Sequence, residues 1–188
     1  MKPETGRPEP GARLRLRGRI PEHDVARKYS RENQRLLAVW AADCALRVLP
    51  FFEKAYPDDE RPRKAIKACR AWARTGVFRM ADIRGASLAA HAAARRAKRR
   101  PSACLAARSA GHAVATAHVP QHAFGAAGYA LKAVLAAFPA TGEGRAERER
   151  RWQASRLASG LRREFLKRVV TRRERGRIRA TVCKDRDF

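Results

Sequence analysis

Apolar side chains recur at helical spacing along most of this chain. Ser30 precedes RENQRLLAVWAADCALRVLPFFEKAY, where Leu36, Val39 or Trp40, Asp43 or Cys44, and Val48 form one stripe. Ser30 fits an N-cap, and Pro50 predicts a bend or an end near Leu49. In the next segment Asp58 or Asp59 can cap a second helix, with Pro62 in or near its first turn. Ala65 or Ile66, Cys69, Trp72 and Ala73 make its stripe, and Thr75-Gly76 ends it. VFRMADIRGASLAAHAAARRAKRR predicts a third helix that closes on a basic run, Arg95 to Arg100. Pro101 opens a fourth, and Pro120 opens or kinks a fifth. Pro139, Gly142 and Gly144 end that run. The last segment begins as a charged helix with Trp152, Leu157 or Leu161, Phe165 and Val169 as its stripe, and frays past Thr171.

Residues 1–29 are interrupted by Pro3, Gly6, Pro8, Pro10, Gly11, Gly18 and Pro21, which predicts a basic, mostly irregular arm. The pattern therefore predicts an all-α chain. Its architecture is a five- to six-helix bundle or a short armadillo-like helical stack, with a basic N-terminal arm and a C-terminal tail. No strand is predicted. The expected organisation is an arm at 1–29, a helical domain at 30–161, and a basic helical extension or tail at 162–188.

Composition changes this picture in one respect. Leu, Ile, Val and Phe make up only 34 of the 188 residues. With a net charge of +25, that balance by itself points towards disorder. Alanine restores the folded reading, because 32 of the 111 residues from Ser30 to Ala140 are Ala. Ala loses no side-chain entropy in a helix and lets neighbouring axes approach closely. Thin, tightly packed helices are expected.

The charge comes from 43 Lys and Arg against 18 Asp and Glu. It favours acidic partners, nucleic acid included, unless the arginines simply fill solvent-facing helix positions. Cys44, Cys69, Cys104 and Cys183 lie far apart, which argues against a zinc-finger or disulfide framework and suits a reducing cytoplasm. The first residues carry no apolar signal region, and no stretch is long and apolar enough to span a membrane. No phosphate loop, dinucleotide fingerprint or helix-turn-helix pattern is evident. Gly111, Gly125 and Gly128 indicate close helix contacts.

Two features are candidates for chemistry. His112, His118 and His122 fall within eleven residues of small and apolar neighbours. On a continuous helix His118 and His122 would sit about 40° apart, the spacing that offers two imidazoles to one metal. No HExxH is present, and Pro120 interrupts the run, so hydrogen bonds across small-residue helix contacts are the competing reading. His91 or Asp43 is a possible further ligand. Asp43 itself lies among apolar residues and needs a partner, either Arg47 at i+4 or a basic residue from another helix. Arg61 to Arg74 mixes arginine with Trp72, a pattern that suits either a gripping surface or a core tryptophan with solvated charges.

LAVWAADCALRVLPFFEKAYPDDERPRKAIKACRAWAR, the Ala/Arg-rich third helix, AGHAVATAHVPQHAFGAAGYALKAV and ERRWQASRL together resemble the small bacterial putative immunity protein family of polymorphic-toxin systems. The resemblance spans about Gln34 to Leu157. It implies an all-helical, non-enzymatic protein that binds and occludes a cognate protein toxin; no cofactor is expected, and the cysteines suit the cytoplasm. It also implies a polar groove or scaffold network at Trp40, Asp43, Arg61, Arg63, Trp72, His112, His118, His122 and Trp152. The arm and the tail look like additions to that core, and from Arg145 onward the chain carries a net +10. A nuclease inhibitor usually presents acid to a positive groove, so this chain's sign predicts a target with an acidic surface. DNA or RNA binding through the basic arm and tail is the alternative function, and a metal-dependent enzyme built on the three histidines is a third.

Overall fold

The computed structural model describes residues 29–174 and 176–183. The arm expected at 1–29 thus lies outside the described residues except for Tyr29, as does the end of the tail at 184–188. Seven helices among the described residues form a predominantly all-α stack. They are α1 (Arg31–Glu53), α2 (Arg61–Thr75), α3 (Met80–Arg96), α4 (Pro101–Ala115), α5 (His122–Ala137), α6 (Gly142–Ser155) and α7 (Ser159–Arg168). Strands β1 (Val169–Glu174) and β2 (Arg177–Val182) follow as an antiparallel pair.

The helix ends follow local chemistry. Ser30 Oγ accepts the Asn33 N–H at 3.1 Å, which satisfies one of the free donors of α1. Asp59 accepts the Arg61 N–H at 3.3 Å at the start of α2. Gly76 ends α2 with φ +73°, a left-handed turn that glycine adopts without a Cβ penalty. Its N–H bonds the Trp72 carbonyl at 2.7 Å.

Four expectations about elements are corrected. Pro50 does not end α1 near Leu49, since the helix runs on to Glu53. The Lys54 N–H reaches the Pro50 carbonyl at 3.0 Å, and buried Leu49 and Phe52 hold that turn against the core. Val77, Phe78 and Arg79 precede α3 instead of forming its first turn. The charged C-terminal helix is broken into α6 and α7 at Arg156–Ala158. There Ser155 Oγ bonds back to the Trp152 carbonyl at 2.8 Å, and the Arg162 guanidinium takes the Leu157 carbonyl at 2.9 Å. Finally, Val169 opens a strand where the sequence predicted a helical stripe and then fraying. Val169 pairs with Val182 and Val170 with Thr181, β-branched residues that favour a pleated ladder, and Thr171 pairs with Ala180. Gly176 turns the hairpin at φ +76°.

The core is centred on α4, which packs against α1, α2, α3 and α5. Its buried face is Ala103, Ala106, Ala107, Ser109, Ala110, Gly111, Ala113 and Val114. Each buried methyl contributes only on the order of 0.8 kcal/mol, so the gain from these residues lies in proximity more than in area. The larger side chains gather around Trp40, whose ring meets Phe124 edge-on at 6.1 Å and Phe165 at 5.2 Å. Gln34 fastens the start of α1 to the α4–α5 turn, donating to the carbonyls of Thr116 at 2.9 Å and Ala117 at 3.1 Å.

Removing Phe124 empties the middle of this aromatic group. Phe124→Ala is expected to cost about 3–5 kcal/mol, and Ser30→Ala, which loses only a cap, about 1 kcal/mol. Urea midpoints of the two variants would test that order; equal losses would contradict the packing described.

Candidate functional site

The structure splits the nine candidate residues into three groups. Trp40 and Trp72 are core residues, each about 3% exposed. The Trp40 indole N–H donates to the Gln153 carbonyl at 2.9 Å and so ties α1 to α6. The Trp72 indole nitrogen is buried without a hydrogen-bond partner among the described residues.

A second group forms an ionic seam along α1 and α2. Asp43 pairs with Arg70 of α2 at 2.5 Å, not with Arg47. Arg63 grips Glu53 with two bonds of 2.5 and 2.7 Å. Arg61 grips Asp59 with two bonds of 2.8 and 2.6 Å, and Arg96 of α3 approaches the same carboxylate at 4.0 Å. The Arg61 guanidinium, through these bonds, holds the Asp59 carboxyl below the usual carboxylate range. Tyr56, Arg61, Asp59 and Arg96 line an open cleft of about 560 Å³. Arg47 turns the other way. It bonds Glu149 at 2.8 Å and lies 4.0 Å from the centre of the Trp152 ring, which makes Trp152 part of an α1–α6 contact. The half-exposed Asp43–Arg70 and Glu53–Arg63 pairs each contribute about 0–1 kcal/mol.

The histidines form the third group, and their geometry corrects the sequence reading. α4 ends at Ala115 and α5 begins at His122, so Pro120 lies in a turn and no continuous helix carries His118 and His122 together. The 40° relationship is lost. Instead His112 and His122 face one another with their Nδ1 atoms 3.1 Å apart. One Nδ1 must donate and the other accept, so both cannot carry that proton at once. The His112 ring stacks on Tyr129 at 5.1 Å and meets His91 of α3 edge-on at 5.3 Å. His118 stands apart, in a groove of about 340 Å³ with Met80, Ile83, Arg84, Ser87, Leu88 and Ala115. Among the described residues, no group of three or more His, Cys, Asp or Glu is arranged to hold a metal ion.

Glycines make the ring cluster possible. A Cβ on Gly111 would lie 2.8 Å from His91 Cε1, and one on Gly125 would lie 2.7 Å from His112 Nδ1. Sequence reasoning took these glycines for close-contact positions but did not foresee that imidazoles fill the space, nor that Tyr129, Arg70 and Glu149 join the network. His91 had a signal of its own, a lone imidazole in an alanine run. Burial, with the Arg108 and Arg95 charges, keeps its pKa below the ordinary 6.5. Burial also pushes the Cys69 thiol up to about 12; its sulfur lies 3.0 Å from the Ala113 carbonyl and 3.3 Å from that of Ala38.

The family model of the Imm-5 like putative immunity protein matches residues 27–160, which hold the seam, the ring cluster and all the helices through α6. The chain belongs to this family. Comparisons with curated proteins and with solved structures gave no match. In this Imm-5 like chain, residues 169–182 of the hairpin lie beyond the matched region. No helix among its described residues is long and apolar enough to cross a membrane. Four large apolar side chains of the matched region face water within twelve residues: Val77, Phe78, Met80 and Leu88.

Two outcomes are expected. Gly125→Ala should displace the His112 ring; overpacking of about 1–3 kcal/mol outweighs the gain of up to about 1 kcal/mol in helix propensity. A lower melting temperature and altered His112 imidazole NMR signals would check it. A folded pKa below the unfolded one means that the unfolded chain binds the extra proton first, so His91 contributes stability above its unfolded pKa that is lost as pH falls from there through the lower folded pKa. The urea midpoint should therefore decline on acidification more steeply in the wild type than in His91→Gln; parallel curves would refute the assignment.

Proposed function

We propose that this chain is a non-enzymatic, cytoplasmic immunity protein that binds one cognate toxin and occludes it. Membership of the Imm-5 like family across residues 27–160 carries this reading. One further observation supports it: the polar side chains that looked like candidate chemistry are engaged with one another, imidazole with imidazole and carboxylate with guanidinium. The contact is assigned to the end of the molecule where α1 finishes and α2 begins, around the cleft of Arg61, Asp59 and Arg96 and beside Arg63. There Arg61 and Arg63 supply polar recognition. Asp43, farther along the seam with Arg70, adds a further polar pair. Trp40, Trp72 and Trp152 act as scaffold, and His112 and His122 brace α4 against α5. His118, in its own groove, belongs to a separate face.

A second reading has one observation in its favour. The exposed Arg172, Arg173, Arg177 and Arg179 crowd onto a two-stranded ribbon, a shape that the major groove of DNA accepts.

Co-expression with the toxin encoded by the neighbouring gene tests the first reading. The chain should rescue growth and co-purify with the toxin in a stable complex, while showing no activity of its own on the toxin's substrate. Loss of growth despite folded, abundant protein would refute it. For the second reading, duplex DNA affinity should fall steeply between about 50 and about 200 mM salt and be lost in the triple variant Arg172→Ser, Arg177→Ser, Arg179→Ser.

A further inference from the structure

Next to the Arg61 cleft, and sharing Ala55 with it, lies a larger groove of about 660 Å³. It runs between the end of α1, the start of α4 and the end of α5. Phe51 and Phe138 form its floor, their rings meeting edge-on with centres 6.0 Å apart. Lys54 and Arg100 line it and are exposed, and Ser102 adds a hydroxyl. Arg145 stands over Phe138, its guanidinium carbon 4.1 Å from the ring centre. No carboxylate among the described residues lines the groove. Glu53, next to Lys54 in sequence, is held by Arg63. Among the described residues, Lys54 and Arg100 have no acidic partner within ion-pair distance.

We propose that this groove binds an acidic segment of the protein partner, with one large apolar side chain seated on Phe51 and Phe138 and flanking carboxylates paired to Lys54, Arg100 and Arg145. The proposal rests on the reading of the chain as a toxin-binding protein and names the chemistry that its partner presents. Two features select this occupant. The walls are of one sign, whereas the adjoining cleft contains both Asp59 and arginines. The floor is aromatic and half-buried, which rewards an apolar anchor that a bare phosphate backbone does not offer. The groove also lies wholly within the family-matched region, unlike the arginine hairpin.

The probe is a fluorescein-labelled peptide, Gly-Asp-Glu-Phe-Asp-Glu-Gly, titrated with the full-length chain by fluorescence anisotropy. Binding should weaken as salt rises, because the rim charges are exposed. Replacing the phenylalanine of the peptide by alanine should weaken it about tenfold, and replacing its acids by lysine should abolish it. Lys54→Glu with Arg100→Glu should weaken binding by about tenfold or more, while Lys67→Glu, an exposed charge on α2, should leave it unchanged. Circular dichroism checks the fold, and Lys54→Gln with Arg100→Gln replaces the reversal if helicity is lost. An unchanged affinity in the folded double variant overturns the proposal. So does equal binding of the phenylalanine and alanine peptides. Displacement of the peptide by duplex DNA, with both ligands lost equally in the variant, also overturns it and makes the groove a phosphate surface. Growth rescue separates the two levels. Rescue that persists in the double variant sinks the groove and spares the immunity reading; absent rescue by the wild type, with the peptide behaving as expected, does the reverse.

Discussion

The close approach of α4 to its neighbours is the constraint on which the rest of this structure depends. α4 is lined by alanine, glycine and serine and is buried by four other helices. A backbone so thinly clothed brings polar atoms of different helices within bonding range. The Ser109 hydroxyl reaches the Ala126 carbonyl at 2.8 Å, and Ser87 reaches that of Gly111 at 3.1 Å. The imidazoles of His91 and His112 rest where glycine leaves no Cβ. Alanine thus supplies helix propensity, and all three small residues convert packing distance into polar contact. Larger aliphatic residues at the same positions would bury more area but push these partners apart.

How much of this the sequence disclosed depended on whether the deciding interaction was local. Periodicity gave the helices from Ser30 to about Ala137, and the cap at Ser30 and the stop at Gly76 were readable because each acts within one turn. The two interior prolines gave opposite outcomes. Pro120 lies in a true break, while Pro50 sits in a last turn anchored by Leu49 and Phe52, and only tertiary packing separates those cases. The hairpin was obscured by its arginines. Its signal was present in the β-branched residues of VVT and ATV on either side of Gly176. For the site, order and spacing of motifs carried the family, but partners did not follow from spacing. Asp43 chose Arg70, 27 positions away, over Arg47 at i+4. His122 found His112, not His118, because the turn at Pro120 redirects α5.

The charge balance is orderly once these contacts are known. Asp43, Glu53, Asp59 and Glu149 are each matched to an arginine from another helix or turn. These four carboxylates are thus spent on fixing elements and turns, and most of the described arginines and lysines beyond them face solvent. That surplus repels the chain from itself and adds nothing to the fold. Where it borders an aromatic floor, as between α1, α4 and α5, it becomes a means of choosing among visitors.

The terminal ribbon carries a consequence of another kind. A sheet of two strands has two open margins, each with unsatisfied backbone groups that invite a further strand. Here Arg172 faces Arg179 across the ladder, and Arg173 and Arg177 are exposed beside them. Two such ribbons brought side by side would confront like charge over the half next to the turn. The same cations that blur the ribbon in sequence therefore weigh against edge-to-edge pairing at its turn end.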